Sequence, residues 1–328
     1  MSQTYFIQTF GCQQNVADSE RLASFYEARG FQPAENLETA STLIINTCIV
    51  RDRAEEKVYG LVKNLREKSK RDKDELNIVI TGCLVGAAAR EPSGKLIKRM
   101  QGRMPDVEFL PLEEVGFELT PKRGKGKLAS IVISNGCNNY CAFCIVPFSR
   151  GKERSRPFQD ILDEVKQAVS EGKTEVMLLG QNVNSYGADL MLETMKNKGK
   201  YELPNGELVE PVMVKHLGRH RIPTIFPQLL EAVATFPGVE KVSFLSSNPW
   251  DFSDALIDVI ARYPNIDRLL HLPIQAGSNK IIKAMNRWYT REEYLELIDR
   301  IREKVPDVKF TTDIIVGFPG ETREDFEA

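Results

Sequence analysis

The sequence predicts an α/β chain: a doubly wound parallel-sheet domain followed by a partial β/α barrel. Two observations carry this. Short apolar runs alternate with helix-length polar stretches along nearly all of the 328 residues, the pattern of parallel sheets flanked by helices. One glycine- and proline-bearing basic segment, 116–128, interrupts that alternation, as a linker between two domains would.

In the first series the expected strands are 5–10, 42–46 and 77–81, with a fourth at 107–111. Their apolar runs are nearly continuous, as in strands covered on both faces. Helical patterns lie between them at 16–29 and 52–69. The second is highly charged but carries Val58, Leu61, Val62 and Leu65 on one stripe, which is the buried side of a surface helix. The first domain is therefore drawn as 1–115. The linker, GFELTPKRGKGKL, holds Pro121, two glycines after it and four basic residues, and reads as a solvated connector.

The second series, 129–328, has expected strands at 129–134, 174–180, 240–246, 267–272 and 307–314. Expected helices are 157–171, 225–236, 252–263, 277–286 and 290–304. Pro157 suits a helix start, where a missing N–H does no harm. Five strand–helix units in a row point to a barrel whose site lies at the strand C-terminal ends. A long insertion at 188–222 carries Lys196, Lys198, Lys200, Lys215, Arg219 and Arg221. After the fifth strand only one helix start, ETREDFEA, remains, so the expected barrel is one strand short.

Bulk properties narrow the class. Net charge is -2, without the basic excess of a dedicated nucleic-acid binder. No apolar run reaches the ~18 residues of a membrane span, and the start lacks a signal-peptide pattern. A cytoplasmic, monomeric enzyme with no membrane partner is expected. Its six cysteines then suggest metal binding or catalysis rather than disulfides.

Cys137, Cys141 and Cys144 form a C-x3-C-x2-C loop directly after a strand and Gly136. Thiolates are soft ligands that suit iron–sulfur clusters. Three thiolates on four irons leave one iron open to chelate S-adenosylmethionine. Tyr140, Phe143 and Phe148 would make the surroundings partly apolar and keep water away. The competing reading is zinc, which needs four ligands in a structural site. His216 and His220 have zinc-like spacing but lie some seventy residues on in the insertion, and read better as surface or RNA-contacting residues. His271 reads as a hydrogen-bonded strand residue.

Cys12, Cys48 and Cys83 are scattered in sequence but share a position: each falls just past the end of an expected strand. Parallel strands end on one edge, where ligands bind, and helix N-termini there favour an anionic group. Three independent buried cysteines are the plain alternative. Convergence leaves all six cysteines in two sets of three.

With these motifs in place, the sequence resembles the radical-SAM methylthiotransferases from about residue 4 to its end. The resemblance rests on TFGCQQNVADSE (9–20), NTCIVRDRAEEK (46–57), TGC (81–83), SNGCNNYCAFCIVPFSRGKERSR (134–156), LGQNVNSYG (179–187), HLPIQAGS (271–278) and TDIIVGFPGET (312–322). GQNVNSYG is most similar to members that act on isopentenyladenosine beside the tRNA anticodon. The resemblance implies two [4Fe-4S] clusters and S-adenosyl-L-methionine. The cluster on Cys137, Cys141 and Cys144 would generate a 5′-deoxyadenosyl radical that takes hydrogen from carbon 2 of the adenine. A second, on Cys12, Cys48 and Cys83, would carry the sulfur, which a second S-adenosylmethionine methylates. A tRNA substrate, an external electron donor and a sulfur source follow as partners.

Phe143 is expected to pack on the S-adenosylmethionine adenine. Gln181, Asn182, Ser246, Gln275 and Asp313 are candidates for its polar groups, with ordinary strand-end hydrogen bonding as the alternative. Arg150, Arg154 and Arg156 are candidates for tRNA phosphates, or for a salt-bridged rim with Glu153. The family pattern continues into a final strand and a β-rich TRAM domain, neither of which is in this sequence. Alternatives stay open: methylthiolation of threonylcarbamoyl-adenosine tRNA or of a ribosomal protein, or iron–sulfur binding without turnover.

Overall fold

The computed structural model describes residues 3–49, 52–72, 76–117, 119–194, 199–216 and 220–328. The chain folds as two compact units, residues 1–125 with 145–151, and residues 126–144 with 152–328.

The first unit is built on strands β1 (Thr4–Thr9), β2 (Gln32–Pro33), β3 (Thr42–Thr47), β4 (Asn77–Gly82) and β5 (Glu108–Phe109). They form one sheet in the order β2-β1-β3-β4-β5, parallel throughout. Side chains alternate across a strand, and here both sets are apolar. Leu43, Ile45, Ile78 and Ile80 pack on one face with Val58, Val62 and Met100. Ile44 and Val79 pack on the other with Leu22, Phe25 and Tyr26. Helix α1 (Gln13–Glu27) covers the second face and α2 (Asp52–Asp72) the first.

Two helices go beyond the sequence expectation: α3 (Cys83–Arg90) and α4 (Lys95–Arg103). The run NIVITGCLVGAAAR passes from strand to helix with no polar break, so periodicity alone does not part them. Gly94, left-handed at φ 61, marks the entry to α4. A short helix, α5 (Val146–Ser149), also belongs to this unit and packs on α3. Arg90 Nη1 ties the pair, donating to the Gly86 carbonyl at 3.0 Å and the Ser149 carbonyl at 2.7 Å. A Cβ on Gly86 would collide with that Ser149 carbonyl. Gly86→Ala is therefore expected to lose about 1–3 kcal/mol to overpacking, against the ~1 kcal/mol that alanine would add in an unhindered helix. Urea unfolding of the two proteins checks this.

The basic segment after residue 116 is solvated over 124–128, which are exposed, but its first part is packed. Pro121 is buried, Leu119 packs beside the α1 core, and Lys122 N donates to the Glu20 carbonyl at 2.9 Å while its Nζ pairs with Glu27. Apolar Leu119 and Pro121 between the charges give the segment a face that lies along α1.

In the second unit, β6 (Leu128–Val132), β9 (Glu175–Leu179) and β14 (Lys241–Phe244) form a parallel sheet in the order β14-β9-β6. The strands β15 (Leu269–His271) and β16 (Lys309–Thr311) form a parallel pair. Single parallel bridges, Val242 to Ile266 and Gln275 to Ile314, extend the pairing. Helices α6 (Phe158–Ser170), α8 (Phe226–Ala234), α9 (Asp254–Arg262), α10 (Asn279–Ala284) and α11 (Arg291–Lys304) follow the strands. Their inner faces, with Ile161, Leu229, Ile257 and Leu297, join the strand side chains in one core. Thr290 caps α11 in a capping box with Glu293, which fixes that helix start. The insertion is ordered where described. It holds α7 (Ala188–Thr194), a hairpin of β10 (Tyr201–Glu202) with β11 (Leu208–Val209), and one of β12 (Val212–His216) with β13 (His220–Thr224). The side chains of His216 and His220 lie outside the described residues.

Candidate cluster and cofactor sites

The Cys137–Cys144 loop leaves the first strand of the second unit through β7 (Ser134–Asn135), which pairs antiparallel with β8 (Arg154–Ser155). Cys137 is buried, while Cys141 and Cys144 are partly exposed. Burial pushes the Cys137 thiol well up. An Asn139 backbone hydrogen bond opposes this, and the neighbouring Cys141 and Cys144 charges add to it. Among the described residues, no three His, Cys, Asp or Glu stand close enough to share a single metal ion. Cysteines of a cluster each bind a different iron, and a coordinated thiol is deprotonated outright.

Cys141 packs against the core and accepts a hydrogen bond from Arg287 Nη1 at 3.5 Å. Arg287 is buried, 4.5 Å from the Trp250 ring centre and 5.3 Å from that of Tyr289. A buried cation beside a thiolate donor set suits a cluster, whose three thiolates leave it net anionic. The three aromatics expected around the loop are solvent-exposed. Tyr140 is 47% exposed, Phe143 39% and Phe148 57%, and Phe148 lies on α5 in the first unit. Apolar cover on Cys141 comes instead from side chains distant in sequence.

The GQNVNSYG motif builds a buried polar network. Asn182 Nδ2 donates to Asp251 at 2.6 Å, and Asn184 Nδ2 to the other Asp251 oxygen at 3.0 Å. Ser185 Oγ donates to Glu153 at 2.6 Å, and Ser247 Oγ to Asn184 Oδ1 at 3.1 Å. Tyr186 Oη donates to the Arg156 carbonyl at 2.8 Å. Burial lifts the Asp251 carboxyl to about 7, against the opposing hydrogen bonds of Asn182 and Asn184. Burial lifts Glu153 from its ordinary 4.5 to about 8, with the Ser185 hydrogen bond opposing. Between those two values the folded chain holds a proton that the unfolded chain releases. The Glu153 contribution to stability is thus fully present below the unfolded value and is lost as pH rises through the folded one. Glu153→Gln should flatten the fall in stability between about pH 5 and about pH 8, measured by urea unfolding across that range.

The other candidates sit at strand ends but differ in availability. Asn182 is fully buried; its Nδ2 is committed to Asp251, and its Oδ1 has no hydrogen-bond partner among the described residues. Gln181 is partly exposed. Ser246 has φ 71 and accepts from Val183 N at its carbonyl. Gln275 is buried with φ 70, and its N–H donates to the Asp313 carbonyl at 2.9 Å. The Asp313 side chain is exposed and lies 3.4 Å from His271 Nε2. His271 Nδ1 is hydrogen-bonded to Thr311 Oγ1. The left-handed backbones at Ser246 and Gln275, uncommon outside glycine, carry no signal in composition or periodicity.

In the first unit Cys12, Cys48 and Cys83 follow the ends of β1, β3 and β4, which are neighbours in the sheet. Thr9 pairs with Asn46, and Thr47 with Gly82, so Cys48 and Cys83 are the next residues beyond a paired row. Cys12 is the N-cap of α1 and Cys83 opens α3, placing both thiols at positive helix ends. Asn15 Nδ2 donates to Asn46 Oδ1 at 3.1 Å, and Asn46 Nδ2 to the Asn15 carbonyl at 2.8 Å. That reciprocal pair locks the Cys12 loop to the Cys48 loop. Gly82, at φ 93, lies where a Cβ would strike the Thr47 backbone and Asn46 Oδ1. The asparagines of GCQQN and NTC and the glycine of TGC thus serve one packed edge. Burial raises the Cys83 thiol, Arg150 pulls it down, and Cys48 adds a smaller rise.

Arg150 and Arg156 are not phosphate contacts. Arg150 is buried, with Nη2 on Asp18 at 2.7 Å and Nε on Cys83 Sγ at 3.3 Å. Arg156 is buried against Glu164 at 2.5 Å. Asp18 lies 132 residues from Arg150, whereas Glu164 is only 8 residues from Arg156 but on the following helix. Arg154 is exposed. Glu153 is buried with Ser185 rather than forming a rim with these arginines.

The model of the "Radical SAM superfamily" matches residues 131–328, and that of "Uncharacterized protein family UPF0004" matches residues 4–101. A tRNA-2-methylthio-N(6)-dimethylallyladenosine synthase of Carboxydothermus hydrogenoformans is 43% identical over 353 residues, covering 99% of this chain and 72% of that protein. Proteins of the same name from Desulforamulus reducens and Thermotoga petrophila are 40% and 41% identical, with 70% and 69% of their lengths covered. Two solved structures share the fold. One is the radical S-adenosylmethionine methyltransferase TsrM of Kitasatospora setae, with TM-score 0.57, 13% identity, and 99% of this chain and 69% of that one covered. The other is the cobalamin-dependent S-adenosylmethionine radical enzyme OxsB, with TM-score 0.60, 11% identity, and 99% and 51% covered. The chain belongs to the radical SAM superfamily and, within it, to the family of the tRNA-2-methylthio-N(6)-dimethylallyladenosine synthases.

Proposed function

We propose that this chain methylthiolates carbon 2 of isopentenyladenosine beside the tRNA anticodon, using S-adenosyl-L-methionine and two [4Fe-4S] clusters. The observation that carries the two-cluster reading is the first unit's edge: three thiols at the ends of three adjacent parallel strands, with an arginine on one sulfur. In this reading Cys137, Cys141 and Cys144 hold the cluster that cleaves S-adenosylmethionine, and Cys12, Cys48 and Cys83 hold the second. When bound, the first supplies the electron that splits S-adenosylmethionine, and the second supplies the sulfur.

The chain's own residues bind and position. The five parallel strand segments of the second unit act as part of a barrel, with S-adenosylmethionine at their C-terminal ends. There the unpartnered Asn182 Oδ1 is an acceptor for its amino group, Phe143 a surface for its adenine, and Gln181, Ser246, Gln275 and Asp313 further polar contacts. Gln275 and Asp313 act here through their side chains, since the Gln275 N–H and the Asp313 carbonyl are already paired with each other. The domains are 1–115 and 129–328 apart from residues 145–151, which belong to the first unit; the enzyme is a cytoplasmic monomer, and an external reductant and sulfur source complete the cycle. No helix among the described residues is long and apolar enough to cross a membrane.

The test is anaerobic reconstitution with iron and sulfide, then incubation with S-adenosylmethionine, dithionite and isopentenylated tRNA. Mass spectrometry of the digested nucleosides should show 2-methylthio-isopentenyladenosine. Methylthiolation of threonylcarbamoyl-adenosine instead, or no modified nucleoside while 5′-deoxyadenosine forms, would overturn the substrate assignment.

A further inference from the structure

The segment Met285–Arg287, between α10 and α11, braces the cysteine loop at three successive residues. The Met285 carbonyl accepts from Ala142 N at 2.9 Å. Asn286 Nδ2 donates to the Tyr140 carbonyl at 2.8 Å. Arg287 Nη1 donates to Cys141 Sγ. Both Tyr140 and Asn286 are left-handed, at φ 47 and φ 57, a costly backbone state for tyrosine that surrounding structure must maintain. The guanidinium itself is fixed from all sides. Its Nη1 also reaches Asn248 Oδ1 at 3.0 Å, Nη2 the Pro273 carbonyl at 3.1 Å, and Nε the Tyr289 hydroxyl at 3.4 Å. Trp250 and Tyr289, stacked on each other at 5.9 Å, flank it. None of these hydrogen bonds goes to a carboxylate; the buried Asp251 feels the charge without a hydrogen bond, and the Cys141 sulfur is the thiol that the guanidinium touches.

We propose that Arg287 is a positioning residue that sets the reduction potential of the radical-generating cluster by placing a buried positive charge and an N–H donor on the Cys141 sulfur. Reduction adds one electron to a site already net negative. A fixed cation in a low-dielectric setting favours the reduced form, and hydrogen bonds to cluster sulfurs raise the potential in the same sense. The inference rests on reading Cys137, Cys141 and Cys144 as the cluster ligands.

The experiment uses the full chain carrying Cys12→Ala, Cys48→Ala and Cys83→Ala, so that one cluster remains, reconstituted without S-adenosylmethionine. EPR-monitored titration compares it with Arg287→Gln and Arg287→Lys. The expected result is undiminished iron, a lower midpoint potential in the glutamine variant, and a lysine variant nearer the parent. Equal potentials in all three proteins would overturn the proposal. So would loss of iron from both variants, which would make Arg287 a brace only. Independently of any change at 287, parent protein grown with guanidino-15N arginine should show 15N hyperfine coupling to the reduced cluster. Its absence also overturns the proposal. If only the glutamine variant loses iron, this spectrum decides alone. A chain with Cys137, Cys141 and Cys144 replaced as well that still kept its iron would sink the ligand assignment instead.

Discussion

Cys141→Ala is expected to abolish formation of 5′-deoxyadenosine from S-adenosylmethionine. Two thiolates remain on the loop, too few to hold a four-iron cluster against solvent. The loss should be far larger than the roughly 10- to 100-fold that removing an outer hydrogen-bond partner costs. The structure adds a second cost, because the change strips Arg287 of its sulfur contact and leaves a buried cation facing a void. Iron should fall by about four per chain, the content of one cluster. Anaerobic turnover followed by chromatography of the adenosine products measures the rate, and elemental analysis measures the iron. Retention of substantial 5′-deoxyadenosine formation would exclude Cys141 as a ligand.

Arg150→Met is expected to destabilise the first unit by roughly 3–5 kcal/mol, the cost of breaking a buried ion pair from one side. Asp18, itself buried, would lose the guanidinium 2.7 Å away, and Cys83 would lose its donor at 3.3 Å. The short helix that Arg150 caps packs on α3, the helix that Cys83 opens, so the damage should centre on the proposed second site. Asp18→Leu combined with Arg150→Met should recover much of the lost stability, because no uncompensated charge is then left inside. Denaturant unfolding of the single and double variants checks this. A single variant as stable as the parent would mean that Arg150 is not held in the interior as described.

Much of this was legible in the residues because local pattern and global fold agree. The centres of TLIIN and NIVIT are apolar at three successive positions, as in a sheet covered on both faces, and they pair as adjacent strands. The placement of three cysteines past three strand ends follows from the same reading, and the register sets Cys48 and Cys83 side by side. What stayed hidden depends on contacts between different elements, which local pattern does not report. Arg150 and Arg156 look like surface cations beside a cysteine loop, yet each is buried against an acid from another element. Arg287 lies 146 residues from Cys141, and nothing in MNRWYT marks it as that sulfur's partner. The helix opened by Cys83 was obscured because an apolar strand runs into an apolar helix at Gly82.

The central claim is that the six cysteines hold two separate clusters. Iron and sulfide analysis of the reconstituted chain, beside one variant lacking Cys12, Cys48 and Cys83 and another lacking Cys137, Cys141 and Cys144, tests it most directly. Two clusters require about eight irons in the parent and about four in each variant. About four in the parent, lost only with Cys137, Cys141 and Cys144, would contradict it.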